Sequence, residues 1–110
     1  METKRSIEAT CPECRGPLSE IRNDDLREYS CLVGHMFSPR GLLLVHSQAQ
    51  EKALWAAVVA LEESVNLVRL VLPQLPEHTA KHLERQAEEK LLQALEIRKI
   101  LERLEPFQPD

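Results

Sequence analysis

Three cysteines and one histidine carry the chemistry that this sequence can do. Cys11 and Cys14 flank Pro12 and Glu13, and Cys31 is followed four positions later by His35. Three sulfurs and an imidazole supply the ligand number and softness that tetrahedral zinc prefers, whereas iron–sulfur clusters ordinarily take four thiolates. The sixteen residues between the two pairs suit the hairpin of a zinc ribbon. Cys11, Cys14, Cys31 and His35 are therefore the expected zinc ligands. Catalytic zinc keeps an open coordination position, and four good ligands close the shell, so the ion is expected to be structural. Reading Cys11 and Cys14 as a thioredoxin-like redox pair lacks a βαβ context and leaves Cys31 and His35 without a role.

The elements that must position these ligands are short. Ser6–Thr10 alternates and predicts an edge strand leading into the first ligand turn. Cys11-Pro-Glu-Cys-Arg-Gly16 predicts a knuckle with Gly16 at a positive φ. Pro17–Arg22 and Leu26–Cys31 form a hairpin across Asn23-Asp-Asp25, whose side chains tolerate turn geometry. Gly34 is placed where a second knuckle must curl back, with Met36 and Phe37 as an apolar lid beside it. Residues 1–37 make a module too small to fold on a core alone, and zinc binding supplies on the order of 10 kcal/mol to such modules.

Ser38-Pro39 announces a helix, with a preferred N-cap residue followed by proline at the first helical position. From there to about residue 72 the apolar residues Leu42, Val45, Ala49, Ala53, Ala56, Ala60, Val65 and Val68 recur at helical spacing. Pro73 and Pro76 break the pattern. A second helix is expected over about 78–104, with a stripe of Ala80, Leu83, Ala87, Leu91, Ala94, Ile97 or Arg98, Leu101 and Leu104. The short link predicts an antiparallel helical hairpin over 38–105, followed by a tail at 106–110. The fold class is thus small α+β: an N-terminal zinc ribbon, then a long helical hairpin. Leu43, Leu44, Leu54, Trp55, Val58, Val59, Leu61, Leu67, Leu70, Val71, Leu92, Leu95 and Ile100 exceed what one mutual seam needs. That excess predicts a homodimer or a protein partner docked through the helices.

Composition narrows the classes further. Of the 110 residues 29% are charged and 43% hydrophobic, with a formal net charge of −4, so a basic nucleic-acid footprint is missing and nucleic acid is not an expected partner. An odd number of cysteines cannot pair fully within one chain, and metal-bound thiolates fit a reducing compartment. The N-terminal residues lack an apolar signal segment, and the near-apolar run Ala53–Leu61 is about half of a membrane span. A cytoplasmic location without membrane association is expected. His78 and His82 lie four apart on one helix face and read as solvated, His46 as packing or surface, and Trp55 as a core or interface anchor. No nucleophile elbow, phosphate-binding glycine loop or His-Glu-x-x-His helix occurs, so neither catalysis nor a small-molecule substrate is expected.

Cys11-Pro-Glu-Cys-Arg-Gly-Pro-Leu18, Tyr29-Ser-Cys-Leu-Val-Gly-His-Met-Phe-Ser-Pro39 and Ala53-Leu-Trp-Ala-Ala-Val-Val-Ala-Leu-Glu-Glu63 together resemble the C-terminal zinc-binding segment appended to some bacterial chemotaxis-type protein-glutamate methylesterases. The resemblance covers roughly residues 9–72. It implies zinc at Cys11, Cys14, Cys31 and His35, which match that pattern residue by residue, and a bacterial cytoplasmic protein in or near signalling. The methylesterase catalytic domain has no counterpart here, so that activity is not implied. Arg15 stands where such segments often have a second glycine, and Ser19 where an aromatic often follows the leucine. The function expected on all these grounds is a non-enzymatic zinc-binding interaction module. The alternatives are a zinc-ribbon nucleic-acid-binding or regulatory protein, and a metal or redox sensor with labile zinc.

Overall fold

The computed structural model describes residues 2–110. Four antiparallel strands come first: β1 (Glu2–Thr10), β2 (Pro17–Asn23), β3 (Leu26–Cys31) and β4 (Met36–Phe37). They form one sheet in the order β1-β2-β3-β4, each strand beside its sequence neighbour. Helix α1 (Pro39–Val71), a 3-10 turn over Leu72–Gln74 and helix α2 (Glu77–Arg103) follow. The architecture is α+β, with the expected β2–β3 hairpin now flanked on both edges.

β1 is longer than the five residues whose alternation predicts it. Its N-terminal part, Glu2–Ser6, pairs with Asn23–Ser19, and the register shifts between Ser6 and Thr10 before Thr10 meets Pro17. Its polar residues gave no periodic signal, because at an exposed edge it is backbone hydrogen bonding rather than side-chain burial that holds a strand. The β2–β3 connection is a two-residue turn between Asn23 and Leu26. Asp24 sits there at φ 56°, a conformation that Asp and Asn tolerate better than most residues.

The chain divides into two compact units, one of residues up to Gln50 together with Pro106–Asp110 and one of Glu51–Glu105. The first unit has a core of Cys11, Leu18, Cys31 and Phe37, against which Ile7, Tyr29, Leu42 and Val45 pack. Phe37 therefore enters the core, but its neighbour Met36 is 56% exposed and provides no lid. Helix α1 begins as its sequence requires: Ser38 Oγ accepts the Gly41 N–H at 3.0 Å, and Ser38 O accepts the Leu42 N–H at 2.8 Å. A Cβ at residue 41 would stand 2.9 Å from Ser38 Oγ, so glycine leaves room for the capping side chain. The C-terminal segment is tied back within this unit, where the Phe107 N–H donates to the buried Ser47 hydroxyl at 2.9 Å.

In the second unit α1 and α2 run antiparallel, with Arg98 Nη2 donating to both carboxylate oxygens of Glu62 at 3.0 and 3.2 Å. The α2 stripe lies largely where its spacing predicts, with Ala87 and Ala94 buried and Leu83, Ile97, Leu101 and Leu104 half-buried. The α1 stripe does not. Ala53, Ala56 and Ala60 are exposed, and the seam is made instead by Leu54, Val58, Leu61, Val65, Val68 and Leu72. These positions alternate in steps of four and three, the spacing that keeps one face against a partner helix at a shallow crossing angle. Both stripes are helical in period. The one carrying leucine and valine wins because it removes more apolar area from water per turn than one of alanines. On α2, Leu91 lies beside the seam rather than in it. It shares the wall of a 270 Å³ surface groove with Val65, Val68, Leu72 and Ala87.

Candidate metal centre

Each ligand pair is presented by a turn that its own backbone closes. In the first, the Arg15 N–H donates to Cys11 O and the Cys11 N–H to Gly16 O, both at 2.7 Å. The left-handed residue of this knuckle is Arg15, at φ 64°, and not Gly16 as the sequence suggests. Gly16 matters for space: a Cβ there would stand 3.4 Å from Cys14 Sγ. In the second turn, the Cys31 N–H donates to His35 O at 3.1 Å and the Gly34 N–H to Cys31 O at 3.2 Å. Here glycine does supply the positive φ, at 107°.

Strand pairing brings the two turns together. Leu18, just after the first knuckle, lies opposite Cys31 in the β2–β3 ladder. Cys14 Sγ is then 3.6 Å from Cys31 Sγ, and His35 Nδ1 is 3.3 Å from Cys31 Sγ and 3.7 Å from Cys11 Sγ. All four ligand atoms of Cys11, Cys14, Cys31 and His35 lie within 4.8 Å of one another. A tetrahedral zinc, with bonds of about 2.3 Å to sulfur and about 2.0–2.1 Å to nitrogen, spaces its ligands about 3.6–3.8 Å apart. Three of the six distances between ligand atoms fall at or just under that spacing, so the donor set is compatible with zinc. None of the three cysteines is in a disulfide. Cys11 and Cys31 are buried, His35 is half-buried and Cys14 is exposed.

The thiols differ electrostatically. At Cys31 desolvation pushes the thiol up. The backbone and ring of His35, the Val33 amide and the Cys14 thiol outweigh it and pull the value down to about 6. At Cys14 the Gly16 amide pulls down, but desolvation and the adjoining Cys31 and Cys11 thiols hold the thiol above its ordinary value. A site with one thiol already favouring thiolate and another still protonated captures a cation with release of a proton.

The other histidines and Trp55 are not members of this cluster. His78 and His82 are exposed on α2, where His82 Nδ1 lies 3.1 Å from an Arg85 nitrogen, and His46 is half-buried on α1. Trp55 is 43% exposed, which removes it from the core, and Arg98 lies over its ring at 5.4 Å from the centroid. One residue that the ligand pattern does not single out reaches the centre: Glu13 Oε2 lies 3.3 Å from His35 Nε2. Its only signal in the sequence is a carboxylate placed between two thiols.

No family model, curated protein or solved structure matches the chain. Among the described residues no helix is long and apolar enough to cross a membrane.

Proposed function

We infer that the protein is a zinc-stapled protein–protein interaction module without enzymatic activity, in which the ion orders the four-stranded unit and the helices bind a second copy or a helical partner. The convergence of three thiols and an imidazole within 4.8 Å of one another, three of their six distances being near the tetrahedral edge, carries the zinc assignment. Four protein donors leave no open position for a substrate or an activated water, which supports a structural ion over a catalytic one. The interaction role is supported by leucine and valine left on the helices after their mutual seam is made, including Leu67 at 60%, Leu70 at 69% and Leu92 at 60% exposure. Apolar area of that kind on paired helices is what helix bundles bury on association. A bacterial, cytoplasmic signalling context rests on the sequence likeness over residues 9–72 alone.

The test is elemental analysis of the purified chain combined with sedimentation equilibrium at micromolar concentration. One zinc per chain and a dimer mass are expected. Absence of zinc would overturn the metal assignment. A well-behaved 12.6 kDa monomer would overturn self-association and leave docking on a different partner.

A further inference from the structure

Glu13 is not required to complete the shell of a zinc ion, yet His35 turns its two ring nitrogens to two different neighbours. Nδ1 faces the sulfurs of Cys31 and Cys11 at 3.3 and 3.7 Å, and Nε2 faces Glu13 Oε2 at 3.3 Å. A neutral imidazole that ligates through one nitrogen carries its hydrogen on the other, and an acceptor at that second nitrogen fixes both the tautomer and the plane of the ring. Glu13 is held for this task by the same turn that presents the thiols, since the Arg15 N–H to Cys11 O hydrogen bond closes the backbone around it.

We propose that Glu13 is a positioning residue of the metal centre, its carboxylate accepting the Nε2–H of His35 and so committing Nδ1 to the ion. The proposal rests on the zinc assignment made above and adds which nitrogen binds and what selects it. A ring free to turn samples orientations in which Nε2 or neither nitrogen faces the sulfurs, and the ion then competes against that freedom. With the carboxylate in place, the ring is oriented before the metal arrives. The side chains of His35 and Glu13 are 36% and 52% exposed, so water screens the pair. The effect therefore belongs at the low end of the about 10–100-fold typical for partners of metal-bound histidine.

The experiment compares the full-length wild type, Glu13→Ala and Glu13→Gln at neutral pH. Zinc affinity is read by competition against a chromophoric chelator, and the His35 ring by long-range proton–nitrogen correlation. The wild type is expected to bind zinc through Nδ1 with the hydrogen on Nε2. Glu13→Ala should lose about tenfold in affinity, and Glu13→Gln, whose amide oxygen accepts the same N–H, should stay within about threefold. Unchanged affinity in Glu13→Ala, ligation through Nε2 in the wild type, or a Glu13→Gln loss as large as that of Glu13→Ala would each overturn the role of Glu13 while leaving the zinc site standing. A wild type that takes up no zinc overturns both together, so the two failures are told apart by the wild-type titration.

Discussion

Cys11 and Cys31 hold in the first unit the place that Val58 and Val65 hold in the second. Each pair is buried at the centre of its unit, but the two valines need only one another's helical period and the facing Ala87 and Ala94. The cysteines make up half of a core completed by Leu18 and Phe37, and their thiols point at a shared ion site as well as into that core. Burial of four side chains is little against the backbone entropy of ordering a sheet, and a ligand that binds only the ordered state makes up such a deficit. The helical unit draws on intrahelical hydrogen bonds, which are local in sequence, and on a repeating seam between α1 and α2. One polypeptide thus divides its stability between a chemical staple and a periodic pattern, and the two should fail separately.

The largest effect is expected on removing a ligand that contributes little packing. Cys14 is exposed, so Cys14→Ser deletes coordination with the core side chains left in place. Zinc can supply on the order of 10 kcal/mol to such a unit. Amide spectra should lose the dispersed signals of β1–β4 and keep those of the helices over 51–103. Retention of the strand signals in metal-free Cys14→Ser would show that the sheet stands on its own core.

The converse substitution is Val58→Ala in the helical seam. Val58 is fully buried, and truncation should destabilise the helical unit by about 2 kcal/mol, read as a lower denaturation midpoint by circular dichroism. Zinc affinity should not change. Val59→Ala, at a neighbouring position 48% exposed, serves as the control and should alter the isolated chain by less than about 0.5 kcal/mol.

A pH titration of zinc affinity sharpens the electrostatic side. Cys14 is held above its ordinary value, so at neutral pH its proton must leave for zinc to bind, and affinity falls at least about tenfold for each unit that pH drops. Below about 6, where Cys31 also takes up its proton, the slope should steepen. Chelator competition between pH 5 and pH 8 checks both the sign and the break, and a flat profile would contradict metal capture by these thiols.

The smallest effect is expected at Arg15. An L-residue in the left-handed region costs about 1–2 kcal/mol, partly offset by the greater freedom that glycine has when unfolded. Arg15→Gly should stabilise the first unit by about 0.5–1 kcal/mol with zinc stoichiometry unchanged, visible as a raised thermal midpoint.

Much of this molecule is legible along the chain. Ligand types and spacings identified the four residues that converge, because few donor sets of three sulfurs and an imidazole suit anything but a tetrahedral ion. Ser38, Pro39, Pro73 and Pro76 marked helix boundaries within a residue or two, because caps and prolines act through their own backbone. The β1 edge was only partly legible, since an edge strand can be polar on both faces. The α1 seam is not legible at Ala53, Ala56 and Ala60, because two stripes of one helix share the same period and only a facing helix chooses between them.

Local features are thus written in the chain: which side chains can hold a metal, where helices start and stop, and that apolar residues outnumber the positions of a single seam. The folded arrangement settles what depends on a neighbour distant in sequence. It placed Leu54, Val58 and Leu61 rather than the alanines against α2, put the left-handed turn at Arg15 rather than Gly16, and set Glu13 beside His35. Each of these choices is a competition between nearly equal local alternatives, and such competitions are settled by packing and hydrogen bonding across the fold.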